Sequence, residues 1–506
     1  MAQPLSRRRF LGELPCATLG AAGIVGTLLN LRLAGTAAAQ SLAPGTDYRA
    51  IVCVFLSGGV DSYNVLLPRS GAAYSAYAAS RGNLALPANS VLAINPLNYT
   101  AKALGVHPGL RDYQPRDGSG AALGPALRGI HRLFEDGRAA FLANVGTLVR
   151  PTTRTDFQNG WHLPLGLFSH ADQIEQWQTS IPDRRAIHGW AGRMADILQS
   201  SYNRDERIGM NISLNGTNFF QSGQNTAEYT VYPAGVQELT GYEGKDSAIG
   251  FAIDSELSSE SVNLLERTLR ARTRDAIGAY QLFRDATSRL SAGGGREPVP
   301  LPAGSYFPDG VANPLAAQLQ MVARAIAGRE ALGHRRQTFF VEFGGWDHHD
   351  EVLNNQAAML PLVSEAVAAF YNTLELLGVA DQVTLFSASD FGRTLSSNGN
   401  GTDHAWGGNH FVVGGAVKGR RIFGRAAPGD NPANGFYPDL QLGSPLDTDP
   451  VNYSRGRLIP TLSVDEYFAE LALWFGVSRA NLPLVLPNIG NFLPAGSDAA
   501  PVGFLL

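Results

Sequence analysis

Short, nearly continuous apolar runs recur along this chain, and three of them break and then present an aspartate. Ala50 to Leu56 stops at Ser57-Gly58-Gly59 ahead of Asp61. Gln337 to Phe343 stops at Gly344-Gly345-Trp346 ahead of Asp347, and Gln382 to Ala388 stops at Ser389 ahead of Asp390. Runs rich in Val, Phe and Ile and bounded by glycine predict buried parallel strands. Shorter runs at 139–145, 208–214 and 411–415 predict further strands. Between them the apolar spacing becomes helical: Leu127, Ile130, Leu133 and Phe134; Ile174 and Trp177; 183–198; 313–332; Leu353 to Leu374; and 464–475. The alternation predicts an α/β fold with a mostly parallel central sheet sandwiched by helices. Leu353 to Leu374 joins two of the strands as a βαβ crossover.

The first residues read differently. Ser6-Arg7-Arg8-Arg9-Phe10-Leu11, a weakly apolar stretch from Cys16 to Leu33, and Thr36-Ala37-Ala38-Ala39 follow the order of a twin-arginine signal peptide, 1–39, cleaved after Ala39. Residues 40–506 then form a single domain, periplasmic or secreted, with no stable membrane insertion after cleavage. No other segment approaches the apolar length needed to span a bilayer. Cleavage removes Cys16, so Cys53 is the sole remaining thiol, inside the first strand and read as buried and inert. A charged helical stretch from Ser258 to Leu290 and the Gly- and Pro-rich joint Ser291 to Pro302 predict a helical insertion at about 250–300. The net charge of −4 and the absence of like-charge runs give no reason to expect nucleic acid.

The chemistry gathers between Phe339 and His410, which hold Asp347, His348, His349, Asp350, Asp390, Asp403, His404 and His410. Open α/β sheets keep their ligands beyond the carboxyl ends of their strands, so strand-end carboxylates beside imidazoles predict a metal site. Asp61 with Asn64 reads either as a ligand pair or as an Asx-type turn closing the strand. Ser169 reads as the N-cap of a helix, with Asp172 completing a capping box. Alternatively it is a nucleophile held where free N–H groups favour an anion. Arg393, three residues after Asp390, either forks onto an anionic substrate or pairs with the nearby aspartates. Carboxylate and imidazole together suit one or two Zn²⁺, Mn²⁺ or Ca²⁺ ions.

Phe55 to Asn64, Phe343 to His349, Ser389 to Thr394 and Gly401 to His410, behind a twin-arginine leader, resemble the exported bacterial family called domain of unknown function 1501. That family is similar to the alkaline phosphatase and sulfatase superfamily, which implies a mixed α/β sandwich around two metal positions. The resemblance implies that Asp61 is the first-strand metal aspartate and that Asp347 and His349 share one metal. It also matches Asp390 to the aspartate of the superfamily's Ser-Asp-His-Gly element, and His404 or His410 to the late histidine. Ser169 resembles the helix-start nucleophile. Phe391 departs from the pattern by standing where that element has histidine, so Asn64, Asp403 or a free histidine would have to replace it. The implied activity is metal-dependent hydrolysis of phosphate or sulfate esters, on a small anionic substrate. The alternative is a non-catalytic exported scaffold, retaining perhaps one structural metal and working with a co-exported protein partner.

Overall fold

The computed structural model describes residues 47–505 apart from 204, 206, 238–241, 243–246, 292–295, 428–434, 450–453 and 495. The leader peptide, the glycines of the 291–302 joint and part of the 428–453 excursion therefore lie outside the described residues. Nine strands make one sheet: β1 (Arg49–Leu56), β2 (Ala139–Gly146), β3 (Asn211–Ser213), β4 (Tyr229–Thr230), β5 (Arg336–Glu342), β6 (Val383–Ser389), β7 (Gly408–Gly414), β8 (Arg421–Phe423) and β9 (Leu462–Ser463). Their order is β8-β2-β7-β6-β1-β5-β3-β4, with β9 paired to β2. Only β7 is reversed, antiparallel to β6 and β2, and every other pairing in this sheet is parallel.

β1 lies near the middle of the sheet because both of its faces are apolar. Ile51, Cys53 and Phe55 point to one side; Val52, Val54 and Leu56 point to the other. The labelled helices are α1 (Gly71–Arg81), α2 (His170–Thr179), α3 (Trp190–Tyr202), α4 (Ala248–Ser258), α5 (Leu264–Thr287), α6 (Pro314–Ala327), α7 (Val352–Leu376) and α8 (Val464–Phe475). On the Val52 face, α6 packs Leu319 and Val322, and α7 packs Val363, Val367 and Phe370. On the Phe55 face, α3 packs Trp190 and Met194, and α8 packs Phe468 and Leu471. This is the mostly parallel α/β sandwich that the apolar pattern predicts. The crossover through α7 carries the chain from β5 to β6 over β1, which lies between them.

Some boundaries differ from the pattern. The 183–198 helix starts only at Trp190, after Gly189, whose backbone lies so close to the Phe219 carbonyl that a Cβ would sit 2.0 Å from its oxygen. The 125–135 spacing yields a helix only over Ile130–Glu135. Among the described residues one helix, Val352–Leu376, is long and apolar enough to cross a membrane, contrary to the reading that no later segment is; most of its apolar window is buried as a core helix.

Register fixes the functional edge. Phe55 pairs with Glu342 and Leu56 with Ser389, so β1, β5 and β6 end level with one another. Their following loops are stitched together: the Trp346 amide donates to the Ser57 carbonyl (3.1 Å), and the Gly58 amide donates to Asp390 Oδ1 (3.0 Å). Gly58 and Gly59 hold φ values of +119° and +80°, and a Cβ on Gly58 would lie 2.5 Å from the Asp347 nitrogen. Both the left-handed backbone and the close approach require glycine there.

On the Phe55 face, Asp465 in the first turn of α8 is fully buried. Burial, with the neighbouring Glu466 charge, pushes its carboxyl up to about 8 against the pull of Ser180 and Arg193. A folded value above the unfolded value of about 3.9 means this group favours folding below that pH. The contribution is lost as pH rises through about 8. Asp465→Asn is therefore expected to raise the melting temperature by about 3 °C or more at pH 8.5 and by much less at pH 5. A scan of melting temperature against pH checks this, and a gain that does not grow with pH would count against the buried acid.

Candidate metal centre

Three imidazoles meet one aspartate at the level strand ends. Asp347 follows β5; His349 lies two residues on; His404 precedes β7; and His170 opens α2. His349 Nε2 lies 3.1 Å and His404 Nε2 3.3 Å from Asp347 Oδ1, and His170 Nε2 lies 3.4 Å from Asp347 Oδ2. The two nitrogens His349 Nε2 and His404 Nε2 are 2.9 Å apart. His170, Asp347 and His404 each offer a ligand atom within 4.8 Å of the others'.

The other nitrogen of every ring is already engaged. His404 Nδ1 donates to the Phe168 carbonyl (2.8 Å), His170 Nδ1 faces Asp390 Oδ2 (2.7 Å) and His349 Nδ1 faces Asp403 Oδ1 (3.2 Å). A carbonyl or carboxylate on Nδ1 keeps the proton there and leaves the Nε2 lone pair facing inward. Burial, with the charges of Arg393 and His170, lowers the His404 pKa and favours its neutral form, against the Phe168 carbonyl. The hydrogen bond to Asp390 raises that of His170. Burial alone would raise Asp347, but the charge and hydrogen bond of Arg393, with His349 and His170, hold it below its ordinary value. Lone pairs of His349 and His404 at 2.9 Å, with a carboxylate oxygen beside both, repel one another unless a cation or proton lies between them.

The structure brings together only some of the residues singled out from sequence. Asp347, His349 and His404 converge. Asp390 stands behind them, orienting His170 and accepting the Gly58 amide. Asp61 is fully buried and paired with Arg81 from α1, while Asn64 accepts from the Tyr77 hydroxyl (2.8 Å) and donates to the Leu84 carbonyl (3.2 Å). Both are tied into the scaffold, and neither belongs to the converging set. His410 is a residue of β7, packed 4.7 Å from the Trp177 ring, and burial pushes its pKa down to about 3. Between His404 and His410, the one at the cluster is His404.

Ser169 sits at the N-cap of α2, yet its hydroxyl makes no capping hydrogen bond. The expected capping box is absent, because Asp172 pairs instead with Arg185. Arg393 is wholly buried, with Nε on the Gly59 carbonyl (2.9 Å) and Nη2 on Asp347, so its guanidinium is committed to the protein and cannot fork onto a substrate.

His170 is the residue that sequence reasoning overlooked. It brings a third imidazole to Asp347 beside Phe391, whose ring lies 4.8 Å from His170 and 4.5 Å from His404 and walls the two. No periodicity marks it. The available signal is its place after Phe168, a non-glycine residue at φ +73° whose turned carbonyl holds His404. Backbone held in a sparsely populated region tends to cluster at functional sites.

A family model described as Protein of unknown function (DUF1501) matches residues 48–429. No curated protein matches. Among solved structures, the chain is similar to Ps i-CgsB in complex with k-i-k-neocarrahexaose, at 10% identity and TM-score 0.32, over 88% of this chain and 77% of that one. It is also similar to BT1596, a 2-O GAG sulfatase, at 9% identity and TM-score 0.25, over 74% of this chain and 66% of that one.

His170→Ala is expected to weaken divalent metal affinity by about 100-fold or more, and Asp390→Asn by about 10- to 100-fold. His410→Ala is expected to leave affinity unchanged. Titration calorimetry with Zn²⁺ on each variant reads the difference, and an unchanged affinity in His170→Ala would remove that ring from the donor set. Arg81→Ala strands the buried Asp61 carboxylate and is expected to cost about 3–5 kcal/mol of stability, measured by denaturant unfolding.

Proposed function

This chain belongs to the family described as Protein of unknown function (DUF1501), and from that premise we propose that it is an exported, metal-dependent hydrolase of phosphate or sulfate esters. The observation that carries this reading is the inward convergence of His170, His349, His404 and Asp347, each ring fixed from behind at Nδ1. Such a donor set favours Zn²⁺, then Mn²⁺, over Ca²⁺, which takes six to eight oxygen ligands. The other carboxylates singled out already have partners: Asp61 pairs with Arg81 through Oδ2, Asp390 with His170, and Asp403 with Arg455 and His349. We therefore read a site for one ion.

Bound there, the ion would polarise an ester oxygen and lower the pKa of a bound water. The protein supplies orientation. Asp390, Asp403 and the Phe168 carbonyl fix the ring planes, and Arg393 restrains Asp347 from below. Phe391 covers one side of the rings with apolar surface. Ser169, adjacent to His170 and with its hydroxyl uncommitted to a cap, is the candidate nucleophile.

A second reading, a non-catalytic exported scaffold with one structural metal and a co-exported partner, is favoured by the burial of Arg393, which withholds from any substrate the one guanidinium bonded to Asp347. Metal analysis of the mature protein with an ester panel separates the two. The expected result is one equivalent of metal and turnover that falls by about 100-fold or more in Asp347→Ala. Stoichiometric metal with no turnover of any ester would favour the scaffold.

A further inference from the structure

The charges around the converging rings limit which esters they can accept. Four guanidiniums bonded to the segments around the site are each paired with a carboxylate: Arg393 with Asp347, Arg455 with Asp403, Arg457 with Asp449, and Arg81 with Asp61. Three carboxylates border the rings, those of Asp347, Asp390 and Asp403, against two guanidiniums, those of Arg393 and Arg455. With neutral rings that sum is −1, and one divalent ion brings it to +1. Just beyond His349, the exposed carboxylates of Asp350 and Glu351 are joined through the Asn400 side-chain amide at 2.7 Å each, and neither has an ion-pair partner among the described residues. Asn400 is tied to the same edge, since its carbonyl accepts the Val352 amide that begins α7 (3.3 Å).

We infer that this site selects esters whose tetrahedral oxyanion carries a single negative charge, and disfavours dianionic phosphate monoesters. The inference rests on the one-ion hydrolase reading above. A monoanion matches the net charge of the loaded site. A second charge on the substrate gains no further partner from these guanidiniums, each of which already pairs with a carboxylate. It also approaches Asp350 and Glu351, which directly follow His349 in the chain and repel it. Two chemistries share the required charge, sulfate monoesters and phosphate diesters, and the test treats them as separate arms.

The experiment uses the Zn²⁺-loaded mature chain at pH 8. Calorimetry measures binding of phenyl sulfate, diphenyl phosphate and phenyl phosphate, and kcat/KM is measured for the matching p-nitrophenyl esters. At least one monoanionic probe is expected to exceed the dianionic one by about tenfold or more in both readouts. The arm that does so identifies the chemistry. The variant Asp350→Asn/Glu351→Gln leaves every proposed ligand in place and is expected to narrow the gap about threefold or more by helping the dianion. Phenyl phosphate bound and turned over as well as the monoanions, or a gap untouched by that variant, overturns the charge selection while leaving the hydrolase reading standing. Failure of all three probes to bind or react, with metal present in full, overturns both.

Discussion

Two imidazole nitrogens held 2.9 Å apart with their lone pairs facing the same carboxylate oxygen form the constraint on which the site depends. Such an arrangement is unfavourable in isolation and persists only because each ring is gripped from behind. His349 is gripped by Asp403, which is itself paired with Arg455 and bonded by Asn398 (3.0 Å). His404 is gripped by the carbonyl of a residue in left-handed backbone, and Arg457 both lies over that residue's ring and donates to the His404 carbonyl (3.2 Å). The grip comes from segments far apart in sequence. Folding therefore fixes the ring geometry before any ligand arrives, which is what makes the donor set preorganised.

The same arginines that hold the shell also determine what it can do. Arg81 and Arg393 are wholly buried, and each pairs with a carboxylate, Arg81 with Asp61 away from the rings and Arg393 with Asp347 among them. A guanidinium cannot give up its charge in a protein, so such a pairing is permanent under any ordinary condition. On the one-ion reading proposed above, it is arginine that stands beside Asp61, the carboxylate that the family resemblance would give to a metal. Arg393 does double service, since its Nε also fastens the Gly59 carbonyl after β1 to the loop after β6. Removing it would loosen the edge as well as release Asp347.

Much of this was legible in the sequence, for a physical reason. β1, β5 and β6 are buried on both faces, so they must be apolar throughout, and a strand that ends at glycine and aspartate advertises the edge where the sheet meets solvent. The reversal of β7 was not legible, because apolar content says nothing about direction. Nor was the fate of Asp61. An aspartate five residues past a strand looks the same whether it meets a metal or a guanidinium, and Arg81 sits on a helix whose buried face, at Tyr77, Ser80 and Arg81, has no apolar stripe to announce it. The choice between His404 and His410 turned on whether the residue lies before or within β7, a boundary that periodicity places poorly.

His170 lay outside the sequence pattern because it arrives from a loop and not from a strand end. The segment from Leu148 to Ser169 is mostly irregular, with four residues between Gly160 and Phe168 at positive φ, and it delivers the start of α2 to the sheet edge. That delivery explains Phe391. With an imidazole coming in from α2, His170 and His404 already stand with ring centroids 4.4 Å apart, and position 391 has only to wall them. An aromatic ring without nitrogen packs against both rings and leaves their lone pairs no partner but the one they share. Phe391 is then the complement of His170: the ring that walls the cluster comes from the end of β6 and the imidazole from the loop before α2.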